Sequence, residues 1–183
     1  MGAEVDPSDN EVMPLIMDLL PKLPAHPKIR YAAILVIGRY TQWIGLHPAH
    51  IAFQLPYITS GFDDGDAEVS AAAAQTLKYL CKDCPQHLVP YLGQLHSFIA
   101  GVAQKVGPED LLDMSAGMAH VICAMTPEDA PAALSTFVQP NIQLVHAFTI
   151  QPTPPTRAEL RAGCDALDRI DMLLAIEIGR AHV

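Results

Sequence analysis

The chain has 183 residues, half of them hydrophobic and only 17% charged, with 20 acidic against 11 basic side chains and a net charge of -9. That length suits one domain with a real core better than two. No run of about 18 residues is apolar enough to span a membrane, and no basic stretch is available to neutralise phosphates, which argues against direct nucleic-acid binding.

Proline and glycine punctuate the sequence at regular intervals, and the apolar residues between them follow a helical period. The first ten residues are polar and without period, so residues 1–11 read as a loose lead-in. A short helix is predicted from Val12 to Leu20, stopped by the prolines at 21, 24 and 27. The next runs from Lys28 to about Gly45. Its stretch from Tyr31 to Ile37 is apolar on every side, which predicts a central helix sandwiched between neighbours. A third spans Pro48 to Ser60, with Pro48 suited to a first turn. After the turn at Asp63, Asp64, Gly65 and Asp66, a fourth helix carries Val69, Ala72, Ala73, Thr76, Leu77, Leu80 and Cys84 at one-face spacing.

The fifth helix, about Pro90 to Val106, aligns Leu92, Leu95, Ile99 and Val106, and Gly107 with Pro108 ends it. Leu111, Ser115, Met118 and Ile122 stripe a sixth, which ends near Met125. A seventh, from about Pro131 to Phe148, carries Leu134, Val138, Ile142 and Val145, with Pro140 as a kink position. The eighth follows an N-cap at Thr156 whose capping-box partner is Glu159, and its stripe is Leu160, Cys164, Leu167 and Leu174. No segment alternates with period two for long enough to form a strand.

Helix starts near 28, 66 and 107 pair with partners near 48, 90 and 131, a hairpin recurring every 38 to 41 residues. That period belongs to HEAT or armadillo arrays, in which stacking buries the face that one hairpin leaves open. The expected fold is therefore all-α, a HEAT-repeat superhelix of about four antiparallel pairs over residues 12–176; a four-helix bundle is the structural alternative. Residues 177–183 read like the translation of a sequencing-library adapter and are set apart from the fold as a non-native tail.

Chemistry-bearing clusters are sparse. Cys81, Cys84 and His87 come nearest to a metal site, but a zinc site normally takes four nitrogen or sulfur ligands and no second pair follows at suitable spacing. The four cysteines, at 81, 84, 123 and 164, read instead as reduced thiols in a cytosolic or nuclear protein without a signal peptide. Asp63, Asp64 and Asp66 lack the later ligands of a calcium loop, and Asp66 is better explained as a helix cap. None of the eight histidines lies in a metal-protease pattern, and no nucleophile elbow or phosphate-binding loop occurs, so no catalytic, cofactor or metal residue is assigned and the chain is read as a non-enzyme. Trp43 is read as a packing residue.

Several stretches in order resemble the importin-beta superfamily of nuclear transport receptors, within it the transportin-SR group. They are Arg30 and Tyr31 opening a helix that reaches Gly38, Arg39, Tyr40 and Thr41; Pro48 leading to Leu55, Pro56, Tyr57, Ile58, Gly61 and Phe62; Ser70 to Ala73 followed by Leu80, Cys81 and Cys84; and Leu167 to Ile170. The resemblance covers about residues 12 to 176. It implies a central HEAT-repeat fragment of a receptor that shuttles between cytoplasm and nucleus, carries Ser/Arg-rich protein cargo, passes nucleoporins and releases its load on binding Ran-GTP. In that group the phosphorylated cargo meets an arginine-rich helix. The arginines here stand apart at 30, 39, 157, 161 and 169, so no cargo-binding residue is carried over. A HEAT scaffold of another kind, an exportin or a phosphatase regulatory subunit, is the alternative.

Overall fold

The computed structural model describes residues 11–151 and 153–180, the last four of these as backbone. The lead-in through residue 10 and residues 181–183 lie outside the described residues. Every regular element among those described is helical: α1 Met13–Leu19, α2 Pro27–Arg39, α3 Thr41–Leu46, α4 Ile51–Thr59, α5 Ala67–Asp83, α6 Pro85–Leu88, α7 Leu92–Val102, α8 Pro108–Cys123, α9 Ala130–Ile150 and α10 Arg157–Arg180. The last helix runs on through residue 180, so no break in structure marks the boundary expected at 176.

Caps written in the sequence set several starts. Asp66 accepts hydrogen bonds from the amides of Glu68 (2.9 Å) and Val69 (3.4 Å) and opens α5. Ahead of it Gly65 sits at φ +80, a left-handed turn conformation that favours glycine. At α10 the capping box closes both ways, the Glu159 amide donating to Thr156 Oγ1 (3.3 Å) and the Thr156 amide to the Glu159 carboxylate (2.6 Å).

Two expected helices are broken. The span from 28 to 45 divides at Tyr40 (φ -115, ψ 27), giving α2 and α3. The start expected near Pro90 is preceded by a separate short turn of helix, α6. Cys84 stands before Pro85 at φ -123, ψ 35, because the proline ring disfavours the helical conformation for the residue ahead of it. The kink position Pro140 lies inside the continuous α9.

α2, α5, α8 and α10 pack side by side as one layer, and α4, α7 and α9 lie across them as a second. The closest partnerships between layers join α4 to α5, α7 to α8 and α9 to α10, half a repeat out of phase with the pairs expected at 28/48, 66/90 and 107/131. The period survives the change, since α2, α5 and α8 begin at 27, 67 and 108. A single core runs through the stack, from Met13 and Met17 at one end to Ile122, Val138 and Leu173 at the other.

Centrality falls on a different helix from the one expected. α2 buries Ala33, Ile34 and Ile37 but leaves Ile29 and Ala32 exposed, because it has a layer neighbour, α5, on one side. In α8 the six consecutive residues Met114 to Ala119 are all buried. Six residues exceed one turn of helix, so α8 is enclosed on every side, by α5 and α10 within its layer and by α7 and α9 across it. The stripe of the last helix faces away from the stack. Leu160, Leu167 and Leu174 are 53%, 52% and 42% exposed and Cys164 is exposed, whereas Gly163, Ala166 and Leu173 turn inward. On α9, Phe137 and Val138 are buried, while Ile142, expected in the stripe, is exposed.

Candidate interaction surfaces

The arginines do not form a recognition row, because two of them serve the fold. Arg30 donates to Asp64 (2.9 Å) and Ser60 (2.9 Å) and lies 5.7 Å from the centre of the Tyr57 ring, tying α2 to the turn before α5. Arg169 donates to Asn141 (2.9 Å) and joins α10 to α9. Arg39 is exposed on α2, and Arg157 and Arg161 are exposed one turn apart on α10.

Cys81, Cys84 and His87 are occupied structurally. Both thiols are buried, and burial pushes each up to about 12, so both stay protonated at neutral pH. The Cys84 thiol donates to the Thr41 carbonyl (3.2 Å), and His87 Nε2 donates to the Gly45 carbonyl (3.2 Å). Among the described residues no group of three or more His, Cys, Asp or Glu is placed to hold a metal ion. Since thiolate and access govern alkylation, a maleimide added to the folded chain is expected to modify Cys164 and spare Cys81 and Cys84 until denaturant is added; mass spectrometry of the labelled peptides checks this. Early labelling of Cys81 would show that the α5–α8 contact opens readily.

Trp43 is 2% exposed and stacks on His47 (ring centroids 4.0 Å apart), the packing role expected of it. His50 lies edge-on to Trp43 (4.9 Å) and Phe53 (5.2 Å), with Nδ1 3.5 Å from an Asp18 carboxylate oxygen of α1. That approach falls within charge-pairing range yet makes no hydrogen bond. Burial lowers the His50 pKa, opposed by Asp18 and reinforced by His47. A base whose folded pKa is depressed stabilises the fold above its ordinary value of 6.5, and that stability is lost as pH falls below 6.5 toward the folded pKa. Melting temperature should therefore drop between pH 7.5 and 5.5, and His50→Asn should make that drop smaller. An unchanged pH slope in the variant would exclude this histidine as a source.

A groove that the sequence did not reveal opens between α4 and α7, with a volume of about 190 Å3. Leu55, Pro56, Leu95 and Phe98 form its apolar bed, and Thr59, Tyr91 and Gln94 supply polar edges. Pro56 lies within α4 and carries no amide hydrogen for the carbonyl of Ala52, another groove residue. Phe98 was absent from the stripe read for its helix, and no periodicity records how far two neighbouring helices splay.

Stacked helical hairpins with an apolar groove between neighbouring helices define a fold of the solenoid class. The family described as the Transportin-3/Importin-13 third TPR domain matches residues 10–98. Over 176 residues and 96% of its length, the chain is 34% identical to an uncharacterized protein of Schizosaccharomyces pombe. Over 182 residues, also 96% of the chain, it is 30% identical to the mRNA transport regulator MTR10 of Saccharomyces cerevisiae. A solved structure of importin-13 in its cytosolic state superposes on 93% of the chain with a TM-score of 0.78 at 23% identity, a likeness of fold. The chain belongs to the importin-beta family of karyopherins. It spans 18% of the length of each of the two yeast relatives and 20% of the importin-13 chain.

Proposed function

We propose that the chain is a central stretch, residues 12–176, of a nuclear import receptor that carries Ser/Arg-rich protein cargo from cytoplasm to nucleus and releases it under Ran-GTP control. The observation that carries this reading is the similarity along 96% of the chain to a relative named as an mRNA transport regulator. Arg30 and Arg169, engaged within the fold, fit a segment that shapes the solenoid and leaves phosphorylated cargo to another part of the receptor. Its uncharged outer groove is the surface best suited to nucleoporins.

A chimera tests the reading. The aligned segment of the budding-yeast regulator is replaced by this chain, and nuclear accumulation of a fluorescent Ser/Arg-rich reporter is followed in permeabilised cells. Import that persists, with reporter released from the chimera by Ran-GTP, supports the proposal. A folded chimera that binds Ran-GTP and leaves the reporter in the cytoplasm overturns it, and one that gains affinity for the reporter in the presence of Ran-GTP favours an exportin.

A further inference from the structure

Two threonines in the chain are followed by proline: Thr126 ahead of α9, and Thr153 in the turn that joins α9 to α10. Their surroundings differ. The Thr126 hydroxyl donates to the Asp129 carboxylate (2.9 Å) and accepts from the Asp129 amide (3.3 Å). The Thr126 carbonyl accepts from the amides of Asp129 (3.1 Å) and Ala130 (3.0 Å), so the residue is wound into the start of α9. A phosphate on its hydroxyl oxygen would displace these bonds and face the Asp129 charge.

Thr153 is exposed and lies outside any helix, and among the described residues no hydrogen bond engages its hydroxyl. Pro154 and Pro155 follow it, and a proline disfavours the helical conformation for the residue ahead of it. Its neighbour Thr156 is committed to the capping box with Glu159. Thr153 is thus a free hydroxyl on a segment held open between two helices, the form in which a protein kinase can take a substrate into its cleft.

The start of α10 offers what a phosphate there would need. Arg157 and Arg161 are exposed one turn apart, and unlike Arg30 and Arg169 neither is bonded to a partner side chain among the described residues. A phosphothreonine carries about -1.5 to -2 charges and three acceptor oxygens, which suit paired guanidinium groups. Glu159 opposes this attraction with its own charge, but its carboxylate is already turned to the Thr156 amide (2.6 Å).

We propose that Thr153 is a phosphorylation site of a proline-directed protein kinase, and that Arg157 and Arg161 hold the phosphate once it is in place. In the transfer, Thr153 Oγ1 attacks the γ-phosphorus of a nucleoside triphosphate. An oxygen–phosphorus bond forms, the bond from the γ-phosphorus to the bridging oxygen breaks, and nucleoside diphosphate leaves. The hydroxyl proton passes to the base of the kinase. The modified turn is then tied to the first two turns of α10, the helix that packs on α8 and α9. The site stands whichever cargo the receptor carries.

The full chain is incubated with ATP, magnesium and a mitogen-activated protein kinase, and the modified residue is located by mass spectrometry. One phosphate is expected, on Thr153. Thr153→Ala and Pro154→Ala should each abolish it, and Thr126→Ala should leave it in place. Phosphorus NMR across a pH series then reads the capture: the phosphate should titrate below the value of about 6 usual for its second proton, because nearby cations favour the doubly charged form. Arg157→Gln with Arg161→Gln should return the titration to that value. Circular dichroism confirms that each variant is folded. A folded chain that takes no phosphate, or takes it on Thr126 in place of Thr153, overturns the site. A phosphate that titrates alike with and without the two arginines overturns their role in holding it.

Discussion

The chain as it stands will self-associate, and Leu167→Glu with Leu174→Glu together will return it to a monomer with its helix content intact. The reason lies in the outward face of α10. Its inward side, Gly163, Ala166 and Leu173, already packs within the stack, so Leu160, Leu167 and Leu174, 53%, 52% and 42% exposed, form a second apolar side that none of the described residues covers fully. At the opposite end α1 buries Met13 and Met17 and shows Leu15 (70%) and Leu19 (55%) to solvent. Hairpins of a solenoid each carry two apolar faces and hide both only between neighbours, and contiguous exposed patches above a few hundred Å2, on the order of those at natural interfaces, promote association. Light scattering across a concentration series reads the outcome. A stable monomer of the unsubstituted chain at high concentration would contradict the open-ended stack, and loss of helicity in the double variant would mean that these leucines are internal.

The same helix shows what periodicity can and cannot reveal. Leu160, Leu167 and Leu174 make the strongest hydrophobic pattern in α10, but a solenoid helix has two apolar sides and the tighter one selects small residues. Close approach to α8 and α9 is permitted by Gly163, where a Cβ would lie 2.6 Å from the Phe148 ring, and by the fully buried Ala166. Hydropathy weights such residues least. In α5 the small residues are alanines interleaved with Val69, Leu77 and Leu80, so the stripe read from sequence is the buried face. Local signals of helix start were legible for the same reason that they are local: Asp66 and the Thr156/Glu159 pair bond within three residues of themselves. The enclosure of α8 and the groove at α4/α7 depend on partners in other helices, as does the Thr76 bond to Ile34 at a separation of 42. No window of helical length contains both members of such a contact. The family was legible despite this, because the stretches that carry the resemblance are local and follow one another in order along the chain, while individual contacts are read only in space.

Met118→Ala should cost about 2–5 kcal/mol, the range for truncating a fully buried methionine where neighbours relax only partly. Met118 is 0% exposed in a helix enclosed by neighbours on every side, so removing its thioether leaves a cavity between α5, α8 and the helices across them. Against the roughly 5–15 kcal/mol that a folded domain of ordinary stability possesses, that loss is a large fraction of the whole. The position of the loss matters as much as its size. Met17 is equally buried, yet it belongs to the terminal α1, which contacts the stack from one end. In an array held by nearest-neighbour interfaces, damage at an end frays that end, whereas damage in the middle weakens the coupling on which both halves rely. Urea unfolding followed by helix signal distinguishes the two. Met118→Ala is expected to move the main transition to lower urea, and Met17→Ala to add an early, small-amplitude phase while the main midpoint shifts less. If the two variants lowered the midpoint equally with one shared transition, the chain would be unfolding as a single cooperative bundle, and the placement of α8 as the keystone of the stack would be wrong.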